Sequence, residues 1–540
     1  MRRTRLRVFV PLVLAIFAAL PAFGNTITVT NTGDSGPGSL RDAIAAASPG
    51  DTINFSLTYP ATIALGSTLN IGTSLTISGP GASNLAISGN NTVGVVDVNP
   101  GVTVSISGVT IENGNSFFGG GIYNDNGTLT LTDSTVSGNS TTYYGGGIYN
   151  YSGTLTLTNS TVSGNSSYDG GGIFNFYNGT LTLTNSTVSG NSSTYYGGGI
   201  LNYFATLALT NSTVSGNSTQ YGGGIFNYYA TLALTNSTVS GNSATSSGGG
   251  IYNFYYGTLT LTNSTVSGNS GTSSGGGILN DYATLTLKNT VVASSSGGNC
   301  SSPSGVFTSD GYNLSDDTSC SGFLTSVTDQ NNISAGLDSQ GLQDNGGPTK
   351  TIALLSTSPA ADAIPVADCT LPDGSTPVAA DQRGVTRPQG AACEIGAFEL
   401  VESATFSSFG AKLDIKPGST STIALKHPSF DLNSKFSLGT SSNGINPLTE
   451  VVELQVGTYQ TTIPAGSFHQ LPNGAKKGSY VFSGAIGGVS LSIQIVPLGG
   501  NSYQFKATGS PVDLTTITNP VTVTLTIGND TGTAPVYADF

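Results

Sequence analysis

The chain has 540 residues, of which 8% are charged and 75 are Gly, with a formal net charge of −13. That length exceeds a single ordinary core. The acidic balance without basic patches excludes a nucleic-acid or anionic-membrane partner, and regularly spaced aliphatic positions exclude simple disorder.

Arg2, Arg3, Arg5 and Arg7 precede an apolar run, Val8–Leu20, and Ala22-Phe23-Gly24 sets small residues before Asn25. Residues 1–24 are therefore expected to be a signal peptide cleaved before Asn25. The run is short for a membrane span and no second one occurs, so no integral membrane helix is expected in the mature chain. "GSLRDAIAAAS" (Gly38–Ser48) carries the helix signals. Ser39 with Asp42 resembles a capping box, and Leu40, Ala43, Ile44 and Ala47 form an apolar stripe. A helix over 39–47 is predicted to plug the N-terminal end of a β-coil array.

Residues 52–115 read as irregular β coils, and residues 116–288 as near-identical ones. Ile122, Ile148, Ile173, Ile200, Ile225, Ile251 and Ile278 recur at steps of 25 to 27 residues. Within a unit the period is two: Leu155 and Leu157 alternate with Thr154, Thr156 and Thr158, which is strand spacing. Each unit reads as three short strands, "GGGIYN", "TLTLTN" and "STVSGN". The predicted fold is all-β, a right-handed parallel β-helix with three strands per ~26-residue coil, stacked at about 4.8 Å. Two asparagine columns, beginning at Asn124 and Asn139, are suited to turns and to amide stacking.

After Lys288 the repeat decays, and residues 289–402 read as irregular strands and loops. Cys300, Cys320, Cys369 and Cys393 are even in number in an exported chain, so two disulfides are expected. Three connectivities are possible, and pairing of sequence neighbours is preferred. No CxxC or His cluster points to a metal, and no cofactor is expected. Residues 403–540 alternate apolar and polar positions between Gly, Pro and Asn turns, as an antiparallel β-sandwich does. The organisation expected is thus 1–24, 25–402 and 403–540.

"GGGIYN" with "TVSGN" resembles the paired repeat motifs of polymorphic outer-membrane proteins, with Gly for Ala and Val for Phe. "GSLRDAI" resembles the N-terminal motif of bacterial surface β-helix proteins, without its Cys. "LQDNGGPTKTIALLSTSPAADA" and "DQRGVTRPQGAACEIGAFE" resemble the C-terminal segment of secreted choice-of-anchor β-helix proteins. Together the resemblance covers about residues 26–400. It implies a right-handed parallel β-helix, secreted or held at the cell surface, with adhesive roles common; it supplies no catalytic residue.

Between Arg41 and Lys288 there is no Lys, Arg or His, and in 116–288 the acids are Asp125, Asp133, Asp169 and Asp281. Lyase chemistry needs a base and hydrolase chemistry needs paired carboxylates, so the chain is expected not to be an enzyme. A polysaccharide-active lyase or hydrolase is the alternative. The residues after each inward Ile point outward, among them Tyr123, Tyr149, Phe174, Phe226 and Tyr252. The turns on either side add Tyr144, Tyr196, Tyr221, Tyr228 and Tyr255. This gives a candidate aromatic binding face along a glycine floor, suited to a glycan or a surface-protein ligand.

Overall fold

The computed structural model describes residues 24–401, 404–416, 427–439, 442, 444–448, 450–471, 478–514 and 517–539. The expected signal peptide, apart from Gly24, lies outside them. Two compact units emerge: one reaches to Glu399 without Pro388–Ala391, and the other comprises that stretch and the chain from Leu400 onward.

The first unit is a parallel β-helix. One coil contains strands Ile148–Tyr151, Thr154–Thr158 and Thr161–Ser163. Each strand pairs in parallel with its copy in the next coil, Ile148 opposite Ile173, Leu155 opposite Leu181 and Val162 opposite Val188. Stacking produces sheets of ten, twelve and twelve strands. A seven-stranded sheet adds to these, formed where the polar stretch before each Gly triplet pairs with its copies through bulges, as in Ser166–Asp169 against Ser192–Tyr196. The alternation of "TLTLT" places every Leu inside and every Thr outside. The Ile column from Ile122 to Ile278 is entirely buried with the Leu and Val columns in one continuous core. A lone coil could not bury these side chains; repetition buries them.

Polar groups inside the helix are matched in the same repeating way. Asn124 donates its amide to Oδ1 of Asn150 at 2.6 Å, and the pattern continues through Asn175, Asn202, Asn227 and Asn253 to Asn280. A second ladder runs from Asn139 to Asn269. In both ladders each amide donates to the Oδ1 of the next coil, and in the second it also donates back to a carbonyl of the preceding coil, as Asn165 does to Val136.

The Gly triplets do not form an open floor. A Cβ on Gly147 would stand 2.6 Å from the carbonyl oxygen of Gly172 and 2.9 Å from Nδ2 of Asn165. Adjacent coils touch there with room only for hydrogen, and the glycines are buried. The expected floor is corrected accordingly.

At the N-terminal end, helix α1 (Leu40–Ala46) buries Leu40, Ala43 and Ile44, and the Ser39 hydroxyl accepts the N–H of Asp42. At the other end the chain turns back. Residues 345–387 and 392–399 lie along the corner between the Leu and Val strands. Gln382 accepts from the Thr238 hydroxyl at 2.6 Å and donates to Oγ1 of Thr213 at 2.8 Å, while Asn236 donates to the Ala380 carbonyl. The charged residues of "DQRGVTRPQGAACEIGAFE" hold this strap. Arg383 pairs with Asp381 and stacks over Phe398, and Arg387 pairs with Glu399 at 3.1 Å with neither side chain exposed. Cys300–Cys320 and Cys369–Cys393 are disulfide-bonded.

The second unit contains a five-stranded and a six-stranded sheet, antiparallel apart from a short parallel edge strand, Ala404–Thr405. Alternate residues such as Leu432, Leu454, Ile493, Phe505 and Leu525 form its core.

Candidate functional site

The outer surface of the Ile sheet carries rows of rings in register. The first row contains Tyr123, Tyr149, Phe174, Leu201, Phe226, Tyr252 and Leu279. Two positions on, the second row reads Asp125, Tyr151, Phe176, Tyr203, Tyr228, Phe254 and Asp281, so an aspartate ends the row on each side. The bulged strands supply a third row, Phe118, Tyr144, Asp169, Tyr196 and Tyr221.

The first row points outward, as alternation requires, yet its middle is covered. Tyr149, Phe174, Leu201 and Phe226 are 2–7% exposed and form a second apolar cluster outside the main core. The rows on either side close over them. Tyr144 meets Phe174 edge-on at 5.3 Å, Tyr196 lies 4.9 Å from Phe226, and Tyr203 stacks on Tyr228 at 4.6 Å. Of the residues singled out in the sequence, Tyr149, Phe174 and Phe226 are thus the bottom of a groove. Tyr123, Tyr144, Tyr221, Tyr228 and Tyr252 are half-buried walls, and Tyr196 and Tyr255 are exposed. Burial, then the neighbouring phenols, pushes the Tyr149 hydroxyl far above the usual phenol range; burial followed by the Asp125 charge takes Tyr123 up to about 12.

A fourth row was not separated in the sequence. Tyr177, Phe204, Tyr229, Tyr255 and Tyr282 come after the second row at the corner of the coil, with φ between 46° and 50° and exposures from 36% to 58%. In the two preceding coils the same corner holds Asn126 and Ser152. The regular spacing of these rings was visible; their left-handed backbone was not.

The first three rows line a hollow of about 530 Å³, with the Asp169 carboxylate among the rings. Burial raises Asp169 to about 6, against a weaker downward pull from the Tyr196 N–H it accepts. Asp97, in the coil before Tyr123, was also missed. It stands in register with Tyr123, and burial followed by the Asp125 charge raises its pKa. In the loops of 289–402, Asp316 accepts from Ser294 and Asn299, and Asp317 accepts from Ser319. Among the described residues no group of three or more His, Cys, Asp or Glu stands where it could hold a metal ion. Among them, too, no helix is long and apolar enough to cross a membrane.

Residues 133–151 and 236–253 match the Chlamydia polymorphic membrane protein repeat. No curated protein matches the chain significantly. Among solved structures the chain is similar to pectate lyase Pel9A, at 14% identity and a TM-score of 0.46 over 70% of this chain and 97% of that one. It is also similar to the PL6 family alginate lyase AlyGC, at 10% identity and a TM-score of 0.26 over 71% and 60%. The enzymatically active domain of bacteriophage CBA120 tailspike protein 4 matches at 13% identity and a TM-score of 0.21, over 86% and 62%. At these identities the likeness is one of fold. The expectation that the chain is not an enzyme is withdrawn, since the similar structures include a pectate and an alginate lyase. The physical reason lies in the acids: a count confined to 116–288 left out Asp97, which feels the charge of Asp125. Asp169, raised by burial to about 6, is a second carboxylate outside the ordinary range.

Proposed function

We propose that the chain is a secreted or cell-surface β-helix protein that binds an extended glycan along its aromatic groove. In this reading residues 25–402 carry the groove and residues 403–540 form an accessory sandwich. The observation that supports it most is the fourth row. A bulky ring at positive φ is unusual and costs on the order of 1–3 kcal/mol. Asn tolerates the same conformation and stands at that corner in Asn126. A ring contact returns about 0.5–1.5 kcal/mol, so folding alone gives little reason to prefer an exposed ring there. A ligand that stacks on the rings does. Tyr and Phe in rows along one axis offer sugar rings flat apolar faces, with phenol hydroxyls at the edge.

A polysaccharide-processing role is the second reading. It is favoured by the Asp97 and Asp125 carboxylates, which lie at one end of the same ring rows.

The test is a glycan array probed with the mature protein and with a variant carrying Tyr229→Asn and Tyr255→Asn. A glycan bound by the wild type should bind the variant about tenfold more weakly, since two ring contacts of about 0.5–1.5 kcal/mol each are lost. Equal binding by the two proteins, with a folded variant, would show that the groove is not the site.

A further inference from the structure

Two of the ring rows are interrupted, and the interruptions adjoin. In the third row Asp169 stands in register between Tyr144 and Tyr196, where its neighbours carry phenols. In the first row Leu201 stands between Phe174 and Phe226. Both residues line the hollow of about 530 Å³, a volume within the range of small-ligand pockets. The missing rings make the notch, and a carboxylate occupies its edge.

Asp169 lacks an internal counter-charge. Its carboxylate accepts the main-chain N–H of Tyr196 at 3.2 Å. The ion pairs among the described residues are Arg41–Asp34, Arg383–Asp381 and Arg387–Glu399, none of which involves it. No Lys, Arg or His occurs between Arg41 and Lys288. A partly buried carboxylate among rings is costly unless a cation compensates it, and aromatic faces attract cations as well. Around the notch the rings meet edge to face, Tyr144 on Phe174 at 71° and Phe174 on Tyr203 at 86°.

We propose that this notch is a subsite for an organic ammonium group carried on a glycan, an amino sugar whose charged nitrogen sits between the Asp169 carboxylate and the surrounding rings. The inference rests on the reading of the groove as a glycan site and names the sugar class it selects. By the same charge, a uronate is disfavoured at this position.

Binding of a permanent cation should track the ionisation of Asp169. The other titratable groups around it are phenols, those of Tyr144, Tyr149, Tyr196, Tyr203 and Tyr228 in the wall and Tyr168 beside it. Phenols ordinarily titrate near 10, and burial raises those of Tyr196 and Tyr203 further. Asp169, at about 6, is charged above that pH and neutral below it. The preference for a cation is therefore present above about pH 6 and lost below it.

The experiment compares a hexasaccharide of N,N,N-trimethylglucosamine with one of N-acetylglucosamine, at matched ionic strength from about pH 5 to 8. Wild type should bind the cationic oligomer about tenfold more tightly at the upper end, and the difference should shrink below pH 6. Asp169→Asn should lose most of the preference, and what the rings retain should not vary with pH over this range. Asp169→Tyr supplies the ring the neighbouring coils carry, so it should fold, fill the notch and weaken both. A cation preference as large and as pH-dependent in Asp169→Asn as in wild type, or equal binding of the two oligomers by wild type, overturns this inference while leaving the groove as a glycan site. Binding of neither oligomer by wild type overturns both.

Discussion

Asn150 donates its side-chain amide to Oδ1 of Asn175 at 2.8 Å, and neither residue is exposed to solvent. Asn175 in turn donates to Asn202. Asn175→Ala removes a buried acceptor and a buried donor at once and leaves Oδ1 of Asn202 unpaired. The expected cost is about 2–4 kcal/mol, from the desolvation of orphaned polar groups. Asn175→Asp is isosteric but sets a carboxylate oxygen against an acceptor. It should be worse than Ala at neutral pH and recover as acid protonates it and restores a donor. Thermal unfolding across pH checks this; an Asp variant as stable as wild type at pH 7 would mean the ladder contributes little.

The glycines are constrained by contact rather than by conformation alone. Gly172 has Gly199 O and Asn191 Nδ2 where a Cβ would need to be, at 2.6 and 2.9 Å. Both obstacles are fixed, one by backbone and one by the buried ladder. Gly172→Ala should separate two coils and cost more than about 3 kcal/mol, in the range of severe overpacking. Gly190→Ala is the comparison, because its nearest neighbour would be 4.0 Å away and only its positive φ is at stake. About 1 kcal/mol is expected there. Urea unfolding of the two variants should separate them clearly.

What the sequence made legible was whatever repeats. The Ile, Leu and Val columns, the asparagine ladders and the cap helix come from period and local chemistry, because identical coils put identical residues in contact. The strap was not legible. Gln382 meets Thr213 across 169 residues, and nothing periodic marks that pairing. The groove was half legible. Alternation gave the outward direction of Phe174, but its burial depends on Tyr144 and Phe176 in flanking rows, whose side chains lean over it. The glycine floor was misread because small residues look the same in sequence whether they face solvent or another coil.

The strap carries its own pH dependence. Glu394 is buried beside Glu399, and Arg387 pairs with Glu399. Burial, followed by the hydrogen bond with Glu399 and that residue's charge, pushes Glu394 far above the usual carboxylate range. A group whose folded pKa is raised contributes its stability in full below its unfolded pKa, about 4.5, and loses it progressively as pH rises. The strap should therefore loosen toward alkaline pH. Hydrogen exchange at the main-chain N–H of Ile395, which bonds to Ala360, reports it after correction for intrinsic rates. Glu394→Gln should flatten the dependence. Arg387→Met should detach the strap at all pH values, at a cost of about 3–5 kcal/mol, because it leaves a carboxylate buried without its partner. A pH-independent strap in the wild type would show that Glu394 is not held protonated.

The exposed rings at the coil corners give a prediction in which two residues of one row respond differently to the same substitution. Tyr229 and Tyr282 share the left-handed backbone, at φ 48° and 50°. Tyr229 is stacked on Phe204 at 4.8 Å and meets Tyr255 at 5.0 Å. Tyr282, at the end of the row, meets Tyr255 at 6.3 Å and is 58% exposed. Replacement by Asn relieves about 1 kcal/mol or more of backbone cost at either site, and Asn126 shows that this corner accepts it. At Tyr229 the lost ring contacts, about 0.5–1.5 kcal/mol each, offset that relief. Tyr229→Asn should therefore leave stability nearly unchanged, whereas Tyr282→Asn should raise it by about 0.5–1 kcal/mol. Two melting curves decide the matter. A Tyr282→Asn variant less stable than wild type would mean that the ring is held by folding. The exposed row would then be a structural feature of the coil corner, and the groove would lose its strongest claim to a ligand.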